Sequence, residues 1–109
     1  MAGAAADLTD ATFDESIAAS DAPVLVEFWA EWCPPCKALA PVLEDIVTDH
    51  AGRLVLYKVN SDDQPELAAR FAVSSVPTTL VFERGSLVKR MVGARGKRHL
   101  LNELADLLS

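Results

Sequence analysis

The sequence predicts an α/β fold, a mixed sheet sandwiched between helices, and three observations carry that reading. Short apolar runs rich in Val and aromatics alternate with stretches whose apolar residues recur at helical spacing. Two strand-like runs meet at Arg84-Gly85, a tight-turn pair that makes them antiparallel. An amphipathic segment closes the chain, with no internal repeat or long linker before it. A length of 109 residues fits one domain over 1–109, large enough for a core of its own.

Each element has its own signal. "TFDESIAAS" (12–20) offers Thr12 and Glu15 as a capping box and Phe13 and Ile17 four apart, a short helix. "APVLVEFWA" (22–30) is continuously apolar and too short for a core helix, so it reads as a strand buried on both faces. "CKALAPVLEDIVTDHAG" (36–52) puts Leu39, Val42, Leu43, Ile46 and Val47 on one stripe. That helix is expected to end at Gly52 and to kink at Pro41. "RLVLYKVN" (53–60) reads as a second buried strand, and "QPELAARFAV" (64–73) as a short helix opened by Pro65. "TTLVFERGSLVKRMVG" (78–93) is the hairpin. "KRHLLNELADLLS" (97–109) gathers Leu100, Leu101, Leu104, Leu107 and Leu108 on the face of a closing helix.

Composition removes several function classes. Half the residues are hydrophobic and 24% charged, as in globular proteins. A net charge of −6 argues against nucleic acid as a partner. No apolar run approaches the roughly 20 residues that cross a bilayer. "MAGAAADLTD" lacks the early basic residues and sustained apolar core of a signal peptide, so a cytoplasmic protein is expected, in a reducing compartment.

The chemistry concentrates in "VEFWAEWCPPCKALAPV" (26–42), which holds the only two cysteines, Cys33 and Cys36. A Cys-X-X-Cys between a strand and a helix reads as a dithiol redox site. Helical spacing brings the two sulfurs within bonding reach. Cys33 at the helix N-terminus has a favoured thiolate and is the candidate nucleophile, and Cys36 the resolver. As a staple the bridge would close too small a loop, worth about 2 kcal/mol at most. As a metal site it lacks ligands, since His50 and His99 stand in no finger-like spacing. Glu27, inside the buried strand, should have a raised pKa and can take and return the Cys36 proton. Trp29 in the same strand reads as core. Between Arg84 and His99 all six ionised side chains are Lys or Arg; the favoured reading is a solvated face, the sharper one a docking edge for an acidic partner.

"FWAEWCPPCKALAP" resembles the active-site segment of thioredoxins, and "YKVNSDD", "VPTTLVF" and "VGARGK" extend the likeness from about Leu8 to Leu108. The resemblance implies a thioredoxin-like fold, with a mixed sheet of four to five strands and about four helices. It implies a general protein disulfide reductase that cycles through Cys33 and Cys36 and needs no cofactor or metal. Its partners would be a thioredoxin reductase or equivalent donor and disulfide-containing proteins, with no nucleic acid, no membrane, and a monomeric state. Trp32, Pro35 and Lys37 match family positions beside the cysteines. Pro77 matches the cis proline that packs on the disulfide. Trp32, Pro34, Pro35, Val76, Pro77, Gly93 and Ala94 would then bind an extended peptide. Alternatives are a dedicated reductase of tryparedoxin or cytochrome c maturation type, or a binding module with incidental cysteines.

Four departures stand out. Glu27 replaces the family's Asp, so either the proton relay shifts or Glu27 pairs more closely with Lys58, which joins the catalytic candidates. Pro34 replaces Gly and removes an N–H near Cys33. Ser75 stands where a Gly is usual. "GAAAD" (3–7) substitutes poorly for an apolar first strand, so residues 1–7 are expected to be a weak or frayed edge.

Overall fold

Apolar alternation sorts the chain into two layers around a sheet. The computed structural model describes residues 5–108. The elements are β1 (Ala6–Asp7), α1 (Phe13–Ala18), β2 (Val24–Trp29), α2 (Pro34–Asp49), β3 (Val55–Asn60), α3 (Pro65–Arg70), β4 (Thr78–Glu83), β5 (Ser86–Val92) and α4 (Lys97–Leu108). The strands pair in the order β1-β3-β2-β4-β5. The β1–β3 and β3–β2 ladders are parallel, and β2–β4 and β4–β5 antiparallel. The sheet is therefore mixed, with five strands and four helices among the described residues.

β2 lies between two strands and between two helical layers, which is why its sequence is continuously apolar. Its side chains alternate between faces. Val24, Val26 and Phe28 join Phe13, Ile17 and Leu67 on the α1/α3 side. Leu25 joins Leu39, Leu43, Ile46, Leu100 and Leu104 on the α2/α4 side. The same alternation sends Glu27 and Trp29 toward α2. On β3, Leu56 packs on the α2/α4 side, so Lys58, two residues on, faces that way too.

Several local expectations change. Thr12 sits at the α1 N-cap with helical backbone angles and no side-chain cap bond. Its Oγ1 instead accepts the Thr9 N–H at 3.0 Å, because the turn has already begun at Thr9. α2 ends at Asp49, before Gly52; His50 forms the cap, its Nδ1 lying 2.8 Å from the Ile46 carbonyl oxygen. Gly52 serves the next turn at φ 84°. Pro41 lies inside α2 as expected. β3 is only half-buried apart from Val59, since the β1 that covers its outer edge has two exposed residues. Residues 1–4 of the expected frayed edge lie outside the described residues. The hairpin forms as read, with Arg84 and Gly85 both at positive φ, 50° and 83°.

Candidate active site

The C-terminal ends of β2, β3 and β5 and the N-terminal end of β4 share one edge of the sheet. Cys33 leaves β2 there in extended conformation and becomes the N-cap of α2. Pro34 and Pro35 fill the first two helical positions, where an N–H has no intrahelical partner to lose. The first available amide is that of Cys36, and it donates to Cys33 Sγ at 3.2 Å. Proline at position 34 thus leaves the sulfur's one backbone donor intact. The two cysteines are joined as a disulfide with Cα atoms 5.3 Å apart.

Exposure does not separate the two sulfurs, since each residue is 2% exposed. Their surroundings do. Cys33 Sγ lies 3.7 Å from the Val76 carbonyl oxygen. Cys36 lines a cavity of about 120 Å³ with Glu27, Trp29, Lys37, Ala40 and Lys58. That volume admits water.

Glu27 is 1% exposed, and its Oε2 has no hydrogen-bond partner. Burial raises its pKa to about 7; the Lys58 charge pulls it down, while Glu44 and Asp7 push it up. Lys58 is its register partner on β3 but does not form an ion pair with it. Asp7 takes that ammonium instead, at 3.8 Å. Lys58 also sits 5.1 Å from the centre of the Trp29 ring, whose Nε1–H donates to Asp7 at 3.0 Å. Trp29 is therefore a wall of this cavity rather than core. Strand alternation carries that signal, because position 29 shares the face of position 27.

Among the residues expected to bind peptide, Trp32 is 68% exposed and fixed by an Nε1–H bond of 2.8 Å to Asp62. Pro34 and Pro35 are exposed beside it. The Val76-Pro77 bond is cis. Val76 packs on the cysteines, and Pro77 is buried. Gly93, at φ 89°, donates to the Pro77 carbonyl at 2.8 Å, which holds Gly93 and the exposed Ala94 against this loop. Ser75 is exposed, and its carbonyl accepts the Thr78 hydroxyl at 2.8 Å. The site residues named from the sequence thus fall into two groups: Glu27 and Lys58 on the cavity beside Cys36, and the residues expected to bind peptide on the Cys33 side.

Half of the basic run is held by partners elsewhere in the fold. Lys89 pairs with Asp106 at 3.3 Å and Lys97 with Asp49 at 2.8 Å, while Arg90 donates to the Phe71 carbonyl at 2.6 Å. No cluster of three or more His, Cys, Asp or Glu among the described residues suits a metal ion. No helix among them is long and apolar enough to cross a membrane.

The thioredoxin family model matches residues 4–106. The chain is 50% identical over 101 residues to a thioredoxin of Mycobacterium tuberculosis, covering 93% of this chain and 87% of that one. It is 48% identical over 101 residues to a thioredoxin of Streptomyces clavuligerus, covering 93% and 94%. A Mycobacterium leprae protein described as a bifunctional thioredoxin reductase/thioredoxin is 47% identical over 107 residues; this chain spans 98% of itself but 23% of that protein. With this likeness along nearly its whole length and a CXXC disulfide at the end of β2, the chain belongs to the thioredoxin family and is a general thiol–disulfide oxidoreductase of protein disulfides, acting through that disulfide without a cofactor.

Proposed function

We propose that residues 1–109 work as one monomeric reductase domain in the cytoplasm, with Cys33 attacking and Cys36 resolving. The observation that carries the assignment is the split environment of the disulfide: Cys33 Sγ beside the Val76 carbonyl with an amide donor, Cys36 on a cavity shared with a buried, unpartnered carboxyl. In the reduced form the Cys33 thiolate attacks a substrate disulfide, forming a mixed disulfide and expelling one substrate thiolate. The Cys36 thiol then gives its proton through the cavity to Glu27 and attacks Cys33 Sγ. The second substrate thiolate leaves, protonated in turn from the site, and two electrons have passed to the substrate. Lys58, held by Asp7, supplies positive potential that eases ionisation of Glu27 without neutralising it.

The substrate lies extended over Trp32, Pro34, Pro35, Val76, Pro77, Gly93 and Ala94, with main-chain pairing at Val76. The electron donor is a thioredoxin reductase or equivalent; the two activities in the name of the Mycobacterium leprae relative support that pairing. Nucleic acid and membrane are not partners on this reading, in keeping with the net charge of −6.

Trapping tests the roles. Cys36→Ser should accumulate mixed disulfides with substrate, visible on non-reducing gels, while Cys33→Ser should accumulate none and reduce nothing. The reverse pattern exchanges the two roles.

A further inference from the structure

The proposed groove has ends of opposite charge. At its Trp32 end stand Glu31, Asp62 and Asp63, all exposed. The carboxylate of Asp62 faces the Trp32 indole, and Asn60 Oδ1 holds the Asp62 and Asp63 amides at 3.0 and 3.2 Å. Among these, only Glu31 has a cation nearby, Lys37 at 3.8 Å. At the Gly93 end, Arg90, Met91, Val92, Arg95, His99 and Glu103 line a cavity of about 280 Å³. Arg95 forms no ion pair among the described residues, and neither does Arg98, three residues on. Glu103 is the one carboxylate on this wall. Val92, 50% exposed, extends the apolar floor toward it.

Sheet order sets the distance between the ends. The acidic end follows β3 and the basic end follows β5, with β2 and β4 between them. Three interstrand steps of about 4.8 Å separate the ends of β3 and β5, from which the two groups project, by about 14 Å. An extended peptide covers that span in about four residues. Cys33 and Val76, from β2 and β4, lie midway, so a substrate cysteine at the sulfur places residues two before and two after it at the two ends. Strand periodicity puts those residues on the same face as the cysteine, toward the protein.

We infer that the groove selects substrate segments by charge order: an acidic side chain two residues from the cysteine docks at Arg95, and a basic one two residues to the other side docks at Asp62 and Asp63. The inference rests on the proposed groove and adds a specificity determinant to it. Both ends are exposed, so the selection is a preference in rate that salt weakens.

Three symmetric peptide disulfides test it, so that either sulfur carries the same flanks. One has Asp two before and Lys two after each cysteine, the second has the order reversed, and the third has Ser at both places. Single-turnover oxidation of the reduced protein is followed by Trp fluorescence. At roughly 10 mM salt the two charged isomers should differ by about tenfold in second-order rate constant. The ratio should fall toward one near 1 M salt. Arg95→Glu makes both ends acidic and should bring the ratio to about one at low salt. Equal rates for the two isomers, or a ratio that salt or Arg95→Glu leaves unchanged, overturns the inference. Reduction of the Ser peptide by the wild-type protein tests the reductase reading separately. If it is reduced while the charged isomers react equally, only the charge order fails; if it is not reduced, the reductase reading fails.

Discussion

Glu27 is the residue where sequence and environment conflict most, and its ionisation is the most direct handle on the site. Its carboxyl titrates at about 7 in the fold against 4.5 when free, because burial costs the charged form its hydration. Between those values the folded protein holds a proton that the unfolded chain has released. The stability this gives is complete below the unfolded value and is lost as pH rises through 7, in total about 3 kcal/mol. Urea titration of the oxidised protein should therefore show stability falling from pH 5 to pH 8. In Glu27→Gln the slope should flatten, and the variant should be the more stable of the two at pH 8. The same variant should leave the first attack by Cys33 nearly unchanged and slow mixed-disulfide release in stopped-flow measurements. Equal release rates across pH 6 to 9 would mean that Glu27 does not carry the Cys36 proton. The sequence announced the buried acid but not its partner. Closer pairing with Lys58 was one of two alternatives for Glu27, and Asp7 from the neighbouring edge holds that ammonium instead.

At the scale of the element, the β4–β5 hairpin is the clearest case of local sequence fixing local structure. Arg84 and Gly85 both have positive φ, matching the twist of the strands they join. A methyl group at Gly85 would meet open space, so its cost is conformational alone. Gly85→Ala should cost about 1 kcal/mol, and Arg84→Gly should recover a similar amount at the other position, both read from thermal melts. Helix ends were less legible. Thr12 and Glu15 have capping-box spacing, yet the chain is already turning at Thr9, and Thr12 binds backward. Gly52 has the composition of a helix terminator, yet His50 ends α2 with its own side chain. Both errors have one cause: several residues near a helix end can satisfy the same free backbone groups, and the choice depends on the next turn.

Across the molecule, the two layers contribute unequally visible cores. The α2/α4 layer is built from Leu and Ile side chains that periodicity reveals, among them Leu43 at 0% exposed. Leu43→Ala should destabilise by about 2–5 kcal/mol in denaturant unfolding. The α1/α3 layer depends on Phe13, Phe71 and Phe82, brought together from three elements with ring centroids 5.2 to 5.6 Å apart. Nothing in local spacing announces that cluster. Redox poise also belongs to the whole molecule, since it reports the relative stability of oxidised and reduced folds. A reductase should equilibrate with glutathione at roughly −270 to −230 mV. A value above about −180 mV would make the protein an oxidant or isomerase instead.

The sequence by itself determined the element types, the antiparallel hairpin, the dithiol and the buried acid. These follow from periodicity, turn chemistry and the spacing of Cys33 and Cys36, all properties of neighbouring residues. Only the tertiary structure set the Val76 carbonyl beside Cys33 Sγ and put Cys36 and Glu27 on one cavity, because those contacts join separate elements. It also moved Trp29 from core to cavity wall and gave Lys58 to Asp7. It set Asp63, after β3, and Arg95, after β5, apart by the two strands between them. Those relations join residues far apart in sequence across a strand order, β1-β3-β2-β4-β5, that no local pattern encodes. Sheet order is set by which faces bury most apolar surface together, and that is a property of the assembled layers.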